Sequence, residues 1–221
     1  MKKYVVIVAG GTGTRMGSAI PKQFLQIGGK PILVHSINKF LKAFPDIHII
    51  LVLHPSFIDE GKLIIQSMQG TPDITIVPGG ETRFHSVKNG LKQVKDNSII
   101  FVHDVVRCLV SESLIRSCYD QAKEKGSAIP AVPITDSVRM IEGDTTKVID
   151  RNLLRAVQTP QTFRSEIILP AFEQVYNTSF TDEATVVEAA GNRIFLIEGE
   201  KENIKITVPA DITFAEQLLS Q

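Results

Sequence analysis

Two cations stand beside a glycine-rich loop near the start of the chain. The loop covers residues 9 to 17, with the sequence Ala-Gly-Gly-Thr-Gly-Thr-Arg-Met-Gly, and it includes Arg15. Lys22 follows in the run Pro-Lys-Gln. Glycines let backbone N–H groups approach an anion closely, because no Cβ intervenes. Together with the two positive charges, the loop predicts a binding site for a polyphosphate.

The spacing of the glycines excludes two common phosphate loops. No G-x-x-x-x-G-K-[ST] run is present, and Gly11, Gly13 and Gly17 miss the dinucleotide fingerprint by one residue. A flexible glycine turn is the plain alternative for the glycines alone, but the neighbouring charges argue against it. A Rossmann dehydrogenase would also need an acidic residue at the end of the second strand, where Leu53-His54-Pro55 stands instead.

The composition sets limits on the class of protein. The 221 residues allow one domain with a sizeable core. The 24 basic and 24 acidic residues leave no global positive field for nucleic acid. No apolar run reaches the roughly 20 residues that cross a bilayer. Cys108 and Cys118 form neither a CxxC motif nor a disulfide framework, so we expect a cytoplasmic protein.

Strand-like and helix-like runs alternate along most of the chain. This pattern predicts a single Rossmann-like α/β domain over residues 1–221, with a mostly parallel sheet covered by helices. The first strand, at 4–8, leads into the glycine loop, and a strand at 98–102 leads to Asp104. Ligands of open α/β sheets bind outside the carboxyl ends of the strands. We therefore expect Asp104 and the loop to face one crevice.

The pattern also predicts the element bounds and three capping residues. Ser56 and Ser111 are candidate N-caps, and Gly191 is a candidate C-terminal stop. The expected helices cover residues 31–44, 56–68, 82–94, 111–125, 165–176, 181–190 and 209–219, and the remaining strands cover 48–53, 74–77, 128–132 and 193–198.

A hairpin pattern interrupts this alternation at residues 134–151. Apolar and polar residues alternate on both sides of a turn at Glu142-Gly143-Asp144. A two-stranded hairpin is marginal by itself and needs a surface to pack on. The sequence therefore predicts a protruding β-arm whose packing partner lies elsewhere.

Several motifs, taken in order, resemble those of one enzyme family. They are the glycine loop, Gly79 to Arg83, His103 to Arg107, Gln158 to Gln161, Thr181 to Ala184, and Glu198-Gly199 followed by Asn203 to Thr207. This series resembles the 2-C-methyl-D-erythritol 4-phosphate cytidylyltransferases, nucleotidyltransferases of the non-mevalonate isoprenoid pathway. The resemblance covers essentially the whole chain. It implies transfer of CMP from CTP to methylerythritol phosphate with release of pyrophosphate.

The resemblance also implies roles for individual residues. Arg15, Lys22 and Lys205 match the catalytic cations, and Asp104 matches the ligand of Mg²⁺, a hard cation that prefers carboxylate and phosphate oxygens. His103 is expected to be structural, because no other His or Cys stands at zinc-site spacing. The residues that match the cytosine and ribose pocket are Ala9, Gly10, Gly11, Gly13, Gly80, Glu81 and Ser86.

A second group of matches concerns the acceptor. Thr135 and Arg151 match the residues that hold methylerythritol phosphate, and Arg107, Thr159 and Thr181 match supporting contacts. In the resembled family the arm reaches a second subunit. The resemblance therefore implies a homodimer through residues 134–151.

Some positions depart from the family pattern and keep alternatives open. The loop begins Ala9-Gly10-Gly11 where many members have two alanines, a form shared with ribitol 5-phosphate cytidylyltransferases. Val105, Val106 and Cys108 stand where small residues and proline are common, so the shape of the ribose pocket stays open. A regulator that binds CTP without turnover is a further alternative. Without the resemblance, Lys205 would be interpreted as a strand-edge lysine and the Thr159-Pro160-Gln161 run as a turn.

Overall fold

An eight-stranded sheet forms the centre of the computed structural model, which describes residues 1–10, 20–68, 70 and 72–220. The twelve described strands are β1 Lys2–Ala9, β2 Gln26–Ile27, β3 Lys30–Pro31, β4 His48–Leu53, β5 Ile74–Pro78, β6 Ser98–Asp104, β7 Ser127–Pro133, β8 Val138–Glu142, β9 Thr145–Ile149, β10 Arg155–Val157, β11 Gln161–Arg164 and β12 Leu196–Glu198. The α-helices are α1 Ile32–Ala43, α2 Ile58–Gln66, α3 Arg83–Leu91, α4 Glu112–Lys125, α5 Ser165–Ala171, α6 Glu183–Ala189 and α7 Pro209–Leu219.

The order of the strands confirms the mostly parallel sheet. The path runs β10-β7-β11-β6-β1-β4-β5, and β12 pairs with β7. Among the described strands of this sheet, only β10 and β11 run antiparallel to the others. The sequence analysis missed β11, which lies between β6 and β7 and follows the expected turn at Thr159.

Helices cover both faces of the sheet, and the alternation along β1 shows how. Val5 and Ile7 pack into a core layer with α1 and α4, while Tyr4 and Val6 pack into the opposite layer with α3, α5 and α6. Parallel strands covered in this way are apolar on both sides, which is why β1 reads as an unbroken hydrophobic run. Along the part of the chain that is described, no helix is long and apolar enough to cross a membrane.

The predicted arm is present as a separate two-stranded sheet. β8 and β9 pair antiparallel with each other, in the register Val138 to Ile149. Ile141 is 77% exposed and Val148 is 67% exposed. The hairpin therefore carries apolar side chains that its own chain leaves in solvent.

Two of the predicted element details are wrong. Ser56 does not cap α2; a 3-10 turn at Pro55–Phe57 comes first, and the ring of His54 accepts from the Ser56 N–H at 3.3 Å. The helix predicted at 165–176 ends at Ala171, whose carbonyl accepts from the side-chain amide of Gln174 at 2.8 Å instead of from a further helical N–H. Ser111 caps α4 as predicted, accepting from the Leu114 N–H at 3.0 Å.

Candidate functional site

A cavity of about 390 Å³ opens at the carboxyl ends of β1 and β6. Five segments build it: the ends of these two strands, the turn before α3, the 3-10 turn at Lys22–Phe24, and the segment before α7. The residues that line it are Val8, Ala9, Gly10, Lys22, Gln23, Gly80, Glu81, Thr82, Arg83, Ser86, Asp104, Val105, Val106, Lys205, Ile206 and Thr207. This is the edge at which open α/β sheets bind ligands.

The carboxylate of Asp104 lies between two cations on the cavity wall. Arg83 Nε donates to Oδ1 at 3.1 Å, and Lys205 Nζ donates to Oδ2 at 2.7 Å. Burial by itself would raise the pKa of Asp104, but the charges of Arg83 and Lys205 lower it well below its usual value. Asp104 therefore carries its negative charge at neutral pH and orders two positive groups around the cavity.

Arg83 is itself held from behind by Glu183. Arg83 Nη1 donates to Oε1 of Glu183 at 2.5 Å, and Nη2 donates to Oε2 at 3.1 Å. Glu183 is fully buried at the first turn of α6. Burial alone would lower the pKa of Arg83, but Glu183 and Asp104 raise it above its ordinary value. The guanidinium is thus charged and fixed in a plane by two carboxylates.

The backbone under Asp104 is anchored by Thr159. The Asp104 N–H donates to Thr159 Oγ1 at 3.0 Å, and the same oxygen lies 3.1 Å from Nδ1 of His103. The Arg107 carbonyl, 3.3 Å from Nε2, can only accept, so the imidazole proton lies on Nε2 and Nδ1 accepts from the Thr159 hydroxyl. Burial lowers the pKa of His103 to about 3, so the ring is neutral. His103 is a structural residue, as expected.

The amino group of Lys22 points to the segment before α7. Its Nζ donates to the Thr207 carbonyl at 2.9 Å. Asp211 accepts from the Thr207 N–H at 2.6 Å and from the Val208 N–H at 2.9 Å, which caps α7. The first turn of α7 thus fixes the carbonyl that orients Lys22.

The opposite wall is made of small residues around Ser86. Its Oγ accepts from the Gly80 N–H at 3.1 Å. A Cβ on Gly80 would lie 2.4 Å from the Cβ of His85, so no side chain fits there. Gly10 faces the same serine, since a Cβ on it would lie 3.7 Å from Ser86 Oγ. This wall offers backbone groups and a hydroxyl, which suits a flat polar ring.

Arg107 supports the wall rather than lining it. Its Nη1 donates to the Asn203 carbonyl at 2.7 Å, and Asn203 Nδ2 donates to the Thr159 carbonyl at 2.9 Å. Gln158 Nε2 donates to the Glu200 carbonyl at 2.7 Å in the same network. These bonds tie the segment that carries Lys205 to the end of β6.

The remaining acceptor residues lie outside the cavity. Arg151 Nη1 donates to the Thr135 carbonyl at the base of the arm, and both residues are exposed. Thr181 is exposed just before Asp182, the N-cap of α6. Neither the arm base nor Thr181 is among the lining residues of the described chain. Gly11, Gly13 and Arg15 lie outside the described residues, so their roles stay predictions.

The donor set fits a magnesium ion that takes most of its ligands from a substrate. No group of three His, Cys, Asp or Glu side chains that could hold a metal occurs among the described residues. Asp104 presents an ionised carboxylate in the cavity. Mg²⁺ is usually held by one or two carboxylates together with phosphate oxygens and water. The site therefore suits Mg²⁺ delivered with a polyphosphate.

Two residues of this site received no role in the sequence analysis. Arg83 ends the Gly79 to Arg83 motif and lines the cavity, and Glu183 stands in the Thr181 to Ala184 motif. Arg83 directly follows Thr82, the N-cap of α3, in a segment that begins with two glycines. A cation in that position was a signal in the sequence for an anion-binding role. The pairing with Glu183 had none, because the two residues are 100 positions apart.

Comparisons with known proteins agree with one another. The family model described as IspD, 2-C-methyl-D-erythritol 4-phosphate cytidylyltransferase, matches residues 3–221. A 2-C-methyl-D-erythritol 4-phosphate cytidylyltransferase of Phocaeicola vulgatus is 44% identical over 219 residues, covering 99% of this chain and all of the relative. One from Azobacteroides pseudotrichonymphae is 45% identical, covering 99% of both chains. The crystal structure of the Francisella tularensis enzyme of the same name has a TM-score of 0.82 and 31% identity, covering 98% of this chain and 99% of that one.

Proposed function

The chain belongs to the 2-C-methyl-D-erythritol 4-phosphate cytidylyltransferase family, and we propose that the cavity between β1, β6 and α3 is its active site. The enzyme transfers CMP from CTP to 2-C-methyl-D-erythritol 4-phosphate in isoprenoid precursor biosynthesis. The observation that carries the assignment of the site is one cavity in which Arg83 and Lys205 flank a buried carboxylate and Lys22 also lines the wall.

The reaction asks for charge neutralisation more than for acid–base chemistry. An oxygen of the acceptor phosphate attacks the α-phosphorus of CTP, a new P–O bond forms, and the bond to the β-phosphate oxygen breaks. Pyrophosphate leaves with the electron pair of that bond. The attacking phosphate is already ionised, so no strong base is needed. Positioned cations must hold two anions together and stabilise the charge that develops between them.

The cations of the cavity are suited to that task. Lys22 is oriented by the Thr207 carbonyl and Lys205 by Asp104, so both amino groups are ordered before substrate arrives. Donors that are placed in advance stabilise a transition state without reorganisation at the moment of reaction. We assign Lys22 and Lys205 to the triphosphate and the transition state, with Arg15 of the glycine loop as a further cation.

Asp104 is the residue we assign to Mg²⁺. When bound there with CTP, the ion would neutralise triphosphate charge and orient its oxygens. The carboxylate is ionised and lies on the cavity wall, where a triphosphate held by Lys22 and Lys205 would bring its oxygens near.

The wall around Ser86 is the proposed place of the nucleoside. Gly80, Ser86 and Gly10 present backbone groups and a hydroxyl to the cavity, and Ala9 and Glu81 also line it. Small residues leave space for a pyrimidine ring, and polar backbone groups can pair with its edge. We assign Gly11 and Gly13, which lie outside the described residues, to the nucleoside because the family motif implies that role.

The acceptor end is proposed to be shared between two chains. Thr135 and Arg151 do not line the cavity of their own chain, although a guanidinium suits a phosphate. They lie at the base of an arm whose apolar side chains are exposed, Ile141 and Val148 among them. A homodimer in which each arm covers the partner's cavity would bury those side chains and deliver Arg151. Arg107, Thr159 and Thr181 are proposed to support the acceptor contacts.

The cytoplasm is the compartment we propose for the enzyme. Cys108 and Cys118 are free and buried. Burial raises the pKa of Cys108 to about 11 and that of Cys118 to about 12, so both stay thiols. Unpaired thiols are typical of a reducing compartment.

A substrate panel tests the proposed function. The purified enzyme is mixed with Mg²⁺, each of the four ribonucleoside triphosphates, and either methylerythritol phosphate or ribitol 5-phosphate, and pyrophosphate release is followed. We expect turnover with CTP and methylerythritol phosphate. Turnover with ribitol 5-phosphate and none with methylerythritol phosphate would contradict the acceptor. CTP binding without any pyrophosphate release would contradict an enzyme.

A further inference from the structure

Glu183 is a buried acid with no opening to the cavity. It is fully buried, it starts α6, and it is absent from the cavity lining of the described residues. Both of its carboxylate oxygens accept from Arg83, from Nη1 at 2.5 Å and from Nη2 at 3.1 Å. A buried ion pair often contributes little net stability compared with apolar residues of the same volume. Its presence therefore points to a task other than stability.

Arg83 transmits the position of Glu183 to the cavity. Its third donor, Nε, reaches Oδ1 of Asp104 at 3.1 Å. The guanidinium is planar and its donors stand in a fixed fork, so two bonds to Glu183 also fix the direction of Nε. The position of Oδ1 of Asp104 thus depends on Glu183, which stands 79 positions later in the chain and does not line the cavity.

The two oxygens of Asp104 are held in different ways. Oδ1 is bound by the clamped Arg83. Among the described residues, Oδ2 is bound only by Lys205, whose side chain is 45% exposed on a flexible stem. A ligand that enters the cavity can compete with Lys205 far more readily than with Arg83. Oδ2 is therefore the oxygen that Asp104 presents to a ligand.

The base of α6 is fixed firmly enough to act as a reference point. Gln161 Oε1 accepts from the Ala184 N–H at 2.8 Å, and Gln161 Nε2 donates to Asp182 at 2.8 Å. Gln161 begins β11, which pairs with β6 in the register Gln161 to Val102. Glu183 and Asp104 are thus both anchored to β6, and Arg83 is the link between them.

We propose that Glu183 is a positioning residue for cytidylyl transfer, which clamps Arg83 so that Asp104 presents Oδ2 to the substrate. This inference rests on the proposed role of Asp104. Glu183 acts through Arg83 and touches neither CTP nor the acceptor.

The test combines Glu183→Gln with Asp104→Asn in a double-mutant cycle. The glutamine keeps the shape of Glu183 but removes its charge and one acceptor. The orientation of the Arg83 guanidinium is then no longer fixed by two bonds. We expect kcat to fall about tenfold or more, with the Kd of CTP, measured by calorimetry, changed by less than about twofold. When Asp104 is already Asn, Glu183→Gln should cost less than about twofold more, because residues that act through one another are not additive.

Thr185→Val is the matched control. It removes the side-chain half of the capping box on the same helix, where the Asp182 N–H donates to Thr185 Oγ1 at 3.3 Å, without touching Arg83. It should lower the unfolding midpoint and leave kcat within about twofold. If Glu183→Gln does not fold, Glu183→Asp provides the same test, since it keeps the charge but withdraws the carboxylate from Arg83.

Four results would overturn the clamp. Glu183→Gln, or Glu183→Asp in its place, with kcat within twofold of the unmodified enzyme excludes it. Losses that multiply independently with Asp104→Asn exclude an action through Asp104. If the loss of kcat in Glu183→Gln follows its loss of stability, and Thr185→Val shows the same relation, Glu183 has only a structural role. If the Asp104→Asn single variant is fully active, the proposed role of Asp104 fails, and the clamp fails with it. If Glu183→Gln is active and Asp104→Asn is not, the clamp fails while the role of Asp104 stands.

Discussion

The amino group of Lys205 lies 2.7 Å from Oδ2 of Asp104, across a separation of 101 residues in the sequence. This contact joins the last segment of the chain to the end of β6 inside the cavity. It also keeps the side chain of Lys205 ordered where the triphosphate is proposed to bind.

Replacing Lys205 should damage catalysis and spare the fold. Lys205→Met removes a cation where charge develops, and loss of one such group costs about 10²–10³ in rate. The side chain is 45% exposed, so the core is not disturbed. Pyrophosphate release measures kcat, and Lys201→Met is the control, because Lys201 is exposed on the same segment and does not line the cavity. Equal rates for the two variants would remove Lys205 from the site.

Asp104→Asn should change the dependence on Mg²⁺. A neutral amide keeps the shape of the side chain but is a poorer ligand for a hard cation. We expect activity to require more Mg²⁺, or to be lost, when initial rates are measured across a Mg²⁺ titration at fixed CTP. An unchanged titration curve would leave Asp104 with a structural role only.

Thr159 should matter for stability through one oxygen atom. Thr159→Val leaves the buried Asp104 N–H without an acceptor and His103 without its donor. An unpaired buried polar group costs about 1–3 kcal/mol, so the free energy of unfolding in urea should fall by that amount. Thr159→Ser keeps the hydroxyl and should lose much less. Equal stability of the Val and Ser variants would show that the hydrogen bond contributes nothing.

His103 should make the protein less stable in mild acid. Its pKa is about 3 in the folded protein, against about 6.5 for a free histidine. Between these values the unfolded chain binds a proton that the folded chain does not, so stability is complete above about pH 6.5 and falls as the pH drops toward 3. The contribution lost by pH 5 is about 2 kcal/mol.

The measurement compares unfolding free energies of the unmodified protein and of His103→Gln between pH 5 and pH 7.5. Glutamine cannot take up the proton, so its curve should be flatter by the stated amount, while all other groups act equally in both proteins. Parallel curves would show that His103 titrates normally in the folded state.

Alternation along the strands made much of this site predictable. In β6, Ile99 and Phe101 pack with α1 and α4, while Ile100 and Val102 pack with α3 and α6. Asp104 continues the second set and so faces α3, where Arg83 stands. The period of two and the strand-end rule are local properties that a sequence carries.

What the sequence analysis missed depends on contacts between distant segments. The bond between Arg83 and Glu183 exists because β11 brings α6 beside α3, and β11 itself was not predicted. Gln161 to Arg164 contains a single apolar residue, Phe163, so no alternation predicts a strand there. The wrong cap at Ser56 is instead a local error, since the ring of His54, two residues earlier, caps the turn that precedes α2.

In the proposed dimer, each site takes Lys22 from one chain and Arg151 from its partner. Mixed subunits test both halves of this claim together. Lys22→Ala and Arg151→Ala proteins, each nearly inactive, are unfolded and refolded in equal amounts, and exchange is verified with a tag on one of them. Random pairing makes about half of the dimers mixed, and each mixed dimer has one unmodified site and one site with both defects.

We therefore predict that refolding the mixture recovers roughly a quarter of the activity of the unmodified enzyme, because about a quarter of all sites carry neither defect. If Arg151 served its own chain, every site would keep one defect and no activity would return. Verified exchange without recovered pyrophosphate release, or a protein that is monomeric in solution, would contradict the shared site.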